Sequence, residues 1–108
     1  MILEVAVLDV KAGEEEKFEI AFSKAQAIIS GMKGYISHEL QKCIENPSRY
    51  VLLVNWEQLK DHTVGFRCSE EYKKWSSLLH KYYEPFPEVQ HYEVIYENKK
   101  HHNINTYE

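Results

Sequence analysis

Residues 56–75, WEQLKDHTVGFRCSEEYKKW, decide how this chain folds. The stretch begins at the end of an apolar run and finishes inside an amphipathic one, so it crosses from strand to helix. His62 lies three residues after Leu59 and four before Phe66, a spacing that turns all three to one face of a helix. An ionisable imidazole on an apolar face needs a polar partner, or it lines a pocket with chemical work to do. A short helix is predicted over residues 58–64, broken by Gly65. Ser69 is placed to cap a second helix, with Glu70 and Glu71 in its first turn, where the macrodipole favours carboxylates. Tyr72, Trp75, Leu79 and Tyr82 form the buried stripe of that helix, and Pro85 and Pro87 end it.

Before this block, residues 49–57 read as the most hydrophobic strand, with Tyr50, Leu52, Val54 and Trp56 opposing Val51, Leu53 and Asn55. Asn46-Pro47-Ser48 is a turn, so residues 35–43 pair with them as a hairpin. That earlier strand sets Ile36, His38 and Leu40 against Tyr35, Ser37, Glu39 and Gln41. Phe18, Phe22, Ala25, Ile29 and Met32, at steps of four and three, mark a helix after the carboxylates Glu14, Glu15 and Glu16. The chain opens on a strand whose faces are Leu3, Val5 and Val7 on one side and Ile2, Ala6, Leu8 and Val10 on the other, interrupted by Glu4. A last strand is predicted over residues 89–97.

The order is strand, helix, strand, strand, helix pair, strand. This is the βαββαβ pattern of a ferredoxin-like α+β sandwich with a four-stranded antiparallel sheet, in one domain over residues 1–97 with a polar tail over 98–108. Helices cover one face of such a sheet, yet both faces carry large apolar residues. A second copy of the same sheet is the simplest cover for the other face, which predicts a homodimer.

Thirteen basic and seventeen acidic side chains give a net charge of −4 over 108 residues. The cations are scattered, which argues against a nucleic-acid partner. With no apolar run long enough to span a bilayer and no signal peptide, a cytoplasmic address is expected and no membrane partner. Cys43 and Cys68 stand on separate elements without the spacing of a zinc site, so no metal and two reduced thiols are expected.

The Lys33-Gly34-Tyr35 entry, the Asn46-Pro47-Ser48-Arg49-Tyr50 hairpin and the Trp56…Asp61-His62…Gly65-Phe66-Arg67-Cys68-Ser69…Tyr72…Trp75 block resemble the antibiotic biosynthesis monooxygenase family. The resemblance covers roughly residues 2–97. It implies a dimeric α+β barrel, and an activity in which a small aromatic, quinol or enolisable compound is oxidised by dioxygen without metal, flavin or other cofactor. Haem-degrading relatives carry an asparagine, a tryptophan and a histidine where this chain has Ala6, Phe66 and Ser76. That disfavours haem degradation, with His80, one turn past Ser76, a weak alternative ligand.

Three side chains are candidates for catalysis. His62 is either a general base near pH 7 or a buried imidazole holding the helix junction. Arg67 either anchors an anionic oxygen or pairs with a neighbouring carboxylate such as Asp61 or Glu71. Asn55, a polar amide beside Val51 and Leu53, either orients substrate or caps the following turn. Phe66, Tyr72, Trp75 and His91 are candidates for contacting a flat substrate, the aromatic ones being equally at home in a core. His101-His102 reads as a solvated pair. Two functions remain open: an oxygenase of the kind the resemblance implies, and a non-catalytic dimeric module for a small hydrophobic ligand or a protein partner.

Overall fold

The computed structural model describes residues 1–100. His101-His102 and the rest of the tail lie outside the described residues. β1 (Ile2–Asp9) leads into α1 (Glu15–Ser30), followed by the hairpin β2 (Tyr35–Lys42) and β3 (Arg49–Trp56). A π-helical segment (Asp61–Phe66), α2 (Glu70–Leu79), a 3₁₀ turn (His80–Tyr82) and β4 (Val89–Tyr92) complete it. The sheet order is β2-β3-β1-β4 with every pairing antiparallel, so the βαββαβ sandwich expected from the sequence is the fold observed.

Both helices pack on one face of the sheet. Ala6, Leu8 and Val10 of the first strand region meet Tyr50, Leu52, Val54 and Trp56 of β3 there, under Phe18, Phe22, Ala25 and Ile29 of α1 and Trp75 and Leu79 of α2. Ser69 caps α2 as predicted: its Oγ accepts from the Tyr72 N–H at 3.1 Å and donates to the Phe66 carbonyl.

Four local expectations are corrected. The helix before Gly65 is a π-helical segment that includes Gly65 and runs to Phe66, closed by the Arg67 N–H on the His62 carbonyl at 3.0 Å. Its wider turn keeps His62 and Phe66 inward but carries Leu59 out of the stripe, leaving it 46% exposed. The pairing of β2 with β3 shifts between Tyr35 and Ser37, so Ile36 is extruded to solvent and Tyr35 joins His38 on the covered side. The second helix gives way to the 3₁₀ turn at His80, because Lys11 N–H takes the Tyr82 carbonyl at 2.8 Å and Tyr83 bridges to Val10. Finally, β4 stops at Tyr92 instead of reaching residue 97. Its pairing with β1 ends at Tyr92 opposite Leu3.

Candidate functional site

Glu4 shares the covered face of β1 with Ala6 and Leu8 and is only 5% exposed. A carboxylate there is costly unless it is hydrogen-bonded. Trp56, at the end of β3, donates its indole N–H to Glu4 Oε1 at 2.9 Å. His91 on β4 is Glu4's direct cross-strand partner. Above both lies His62, 2% exposed, which the π-helical segment turns down onto the sheet. Its ring stacks on Trp56 with centroids 5.5 Å apart and planes 22° from parallel. One ring nitrogen, Nδ1, is 2.8 Å from His91 Nε2, and the other, Nε2, is 3.4 Å from Glu4 Oε1.

The His62–Glu4 contact has the geometry of a loose ion pair, but the electrostatics run the other way. Burial raises the Glu4 pKa, opposed by the Trp56 hydrogen bond and by the Arg67 charge. Burial, with the Arg67 and His91 charges adding to it, pushes His62 down to about 3. The contact is longer than a charge-assisted hydrogen bond, and desolvation moves both groups toward their neutral forms. His62 is therefore an uncharged imidazole at neutral pH. Burial and the Arg67 charge also lower the pKa of His91 and of His80.

Glu4 and His62 form part of the wall of a cavity between the sheet and α2. Ala6, Leu8 and Leu52 line it from the sheet, and Phe66, Tyr72, Trp75, Leu79 and Tyr83 from the helical side. Arg67, His80, Phe86, Pro87 and Val89 complete it, Arg67 and Phe86 being solvent-exposed. The volume is about 40 Å³, room for a few water molecules. Among the described residues no carboxylate lies within ion-pairing distance of Arg67, so neither Asp61 nor Glu71 engages it.

Of the residues singled out from the sequence, the structure brings His62, Arg67, Phe66, Tyr72 and Trp75 to this cavity, and joins His91 to it through His62. Asn55 is not part of it. Its amide donates to Ser37 Oγ at 3.0 Å on the opposite face of the sheet, beside Leu3 and Tyr92. The expected grouping of Asn55 with His62 thus fails because successive strand residues point to opposite faces, and its neighbour Trp56 takes the covered one. Sequence reasoning passed over Glu4. The signal was present, since Glu4 falls in register with Ala6, Leu8 and Val10 on the side the helices cover.

The model of the antibiotic biosynthesis monooxygenase family matches residues 1–77, from β1 through most of α2. This chain belongs to that family. The matched span contains Glu4, His62 and Arg67, while His91 lies beyond it. YczJ of Bacillus subtilis strain 168, an uncharacterised protein, is 56% identical over 95 residues, covering 88% of this chain and all of YczJ. A crystal structure of a Bordetella bronchiseptica protein named for the same family superposes with a TM-score of 0.84 at 32% identity, over 88% of this chain and 97% of that one. SnoaB of Streptomyces nogalater, a cofactor-independent oxygenase, has a TM-score of 0.80 at 15% identity, covering 92% and 97% of the two chains. At that identity the likeness is one of fold.

Proposed function

We infer that this antibiotic biosynthesis monooxygenase family member is a cofactor-independent oxygenase acting on a small aromatic, quinol or enolisable compound. The observation that carries this reading is a buried, uncharged His62 between two acid–base partners in the wall of an aromatic cavity. In such a reaction the substrate first loses a proton, and the resulting anion reduces dioxygen. A carbon–oxygen bond forms and the oxygen–oxygen bond then breaks. One methylene group and one dioxygen molecule end as one carbonyl group and one water. The protein's share is proton transfer, for which His62 is placed, and stabilisation of the oxyanion by the Arg67 guanidinium. The apolar walls keep bulk water from the anion. Ala6, Phe66 and Ser76, at the positions that distinguish haem degraders, argue against haem as substrate.

The same reading takes the protein to be a cytoplasmic homodimer with no nucleic-acid or membrane partner. Its support is the outer sheet face, where Leu3, Val5, Val51 and Leu53 are only half-buried and Val7 is exposed, and the exposed Val94, Ile95 and Tyr96 beyond β4. Among the described residues no helix is long and apolar enough to cross a membrane.

The test is oxygen consumption with a panel of quinols, naphthols and anthrones. Uptake by the wild type that exceeds a His62→Ala control supports the oxygenase; equal rates across the panel remove it. The small cavity favours a second reading, a non-catalytic dimeric module for a small hydrophobic ligand or a protein partner. Saturable ligand binding without oxygen uptake selects that alternative.

A further inference from the structure

We propose that Glu4 is the catalytic residue that takes the proton from a single-ring phenol or enol bound in the cavity, and that His62 and His91 conduct that proton to the edge of the sheet. The proposal rests on reading the cavity as a phenol or enol site. His62 Nδ1 is engaged by His91, and Nε2 faces Glu4 Oε1 at 3.4 Å, so both nitrogens are turned toward side chains of the sheet. Glu4 differs. Its Oε1 takes the Trp56 N–H and faces His62, while its Oε2 has no hydrogen-bond partner among the described residues, in a side chain that lines the cavity. A buried carboxylate oxygen without a donor is an acceptor waiting for one.

The proton path follows from the contacts. The ligand O–H bond breaks and an O–H bond forms on Glu4. While the anion is bound the proton stays on Glu4. Once the anion has reacted, Glu4 protonates His62 Nε2 as that 3.4 Å contact shortens to hydrogen-bond length, and a proton passes from His62 Nδ1 to His91 Nε2 across 2.8 Å. His91, half-buried on the edge strand β4, releases a proton from its other nitrogen to water, so one proton enters the chain and one leaves. The titratable and charged groups around Glu4 are His91 from β4, His62 from the π-helical segment, Arg67 after it, and Tyr72, His80 and Tyr83 around the cavity. Arg67 supplies the positive charge that a newly formed phenolate needs, and burial makes Glu4 more basic than an exposed carboxylate. At about 40 Å³ the interior is smaller than an aromatic ring, so the ring extends outward past the solvent-exposed Arg67 and Phe86 and its hydroxyl reaches in to Glu4.

Binding of 4-nitrophenol, whose ionised form absorbs in the visible, tests this directly. At a pH where the free dye is mostly un-ionised, the wild type should hold it as the phenolate, and Glu4→Gln, which keeps an oxygen for Trp56, should hold it neutral. Equal ionisation in the two proteins, or no binding by the wild type, overturns the proposal. Infrared difference spectra of the wild type alone should show a protonated carboxyl band on dye binding, and its absence overturns the proposal even if Glu4→Gln does not fold. Oxygen uptake separates the two ideas. Dye ionised through Glu4 without uptake on the panel leaves Glu4 in place and removes the oxygenase. Uptake unaffected by Glu4→Gln, where a drop of about 100-fold or more is expected, does the reverse.

Discussion

Trp56 donates its indole N–H to Glu4 across 2.9 Å at a point where both side chains are buried. The bond joins the far end of β3 to the start of β1 and gives a buried carboxylate one of the donors it lost on leaving water. It also sets the floor on which the His62 ring stacks. Trp56 thus packs the core and positions the acid–base groups at once.

Replacing Trp56 by Phe should destabilise the fold by about 1–3 kcal/mol through the unsatisfied carboxylate alone. A double-mutant cycle with Glu4→Leu, which removes the acceptor, separates that bond from the lost ring contacts when read by urea unfolding. Strict additivity would show that the two side chains are not coupled.

Gly34 has φ of 84°, and a Cβ built there would overlap the Asp61 carboxylate. Asp61 Oδ2 accepts the Gln58 N–H at 3.1 Å, fastening the entry to the segment that carries His62. Gly13 has nearly the same φ, 87°, with open space where its Cβ would go. Gly13→Ala should therefore cost only the left-handed backbone penalty, about 1–2 kcal/mol. Gly34→Ala should cost clearly more and disturb the His62 ring, which histidine NMR shifts would report. Equal losses for the two variants would show that Asp61 moves aside freely.

Acid should weaken the protein before its carboxylates titrate in bulk. An unfolded histidine titrates near 6.5, whereas folded His62 is held down to about 3, so between those values the unfolded state binds a proton that the native state does not. Stability then falls as pH drops below 6.5. The lowered pKa values of His38, His80 and His91 act in the same direction. Glu4 opposes it, because its raised pKa lets the native carboxyl take up a proton first as pH falls toward 4.5. The His62 contribution at pH 5 should be a loss of roughly 1–2 kcal/mol relative to pH 7. Urea midpoints for the wild type and His62→Gln should converge as pH is lowered, and parallel curves would rule His62 out as the source.

Leu53 sits on the outer sheet face, across from Val5 on β1 and Glu39 on β2. A lysine there should leave the monomer folded and dissociate a dimer built on that face. Sedimentation velocity reads the change in mass, and an unchanged dimer in Leu53→Lys would exclude this face as the contact.

The elements legible in the chain are those set by local pattern. The α1 stripe, the alternation of β3, the Asn46-Pro47 turn and the Ser69 cap each follow from residues within a few positions of one another, and these carry the order βαββαβ. Inward placement of His62 with Phe66 was legible for the same reason. Features that depend on a distant strand were not. The extrusion of Ile36 is decided by the register of β2 against β3, and the extent of β4 by its pairing with β1. The site belongs to this second kind. Glu4, Trp56, His62 and His91 come from four separate elements, and no spacing along the chain relates residue 4 to residue 91. The sequence by itself determined the periodicities, and with them the fold and one buried histidine. Only the tertiary structure decided that histidine's partners, because hydrogen bonds between side chains depend on strand register and helix placement, which backbone pairing sets across the whole molecule.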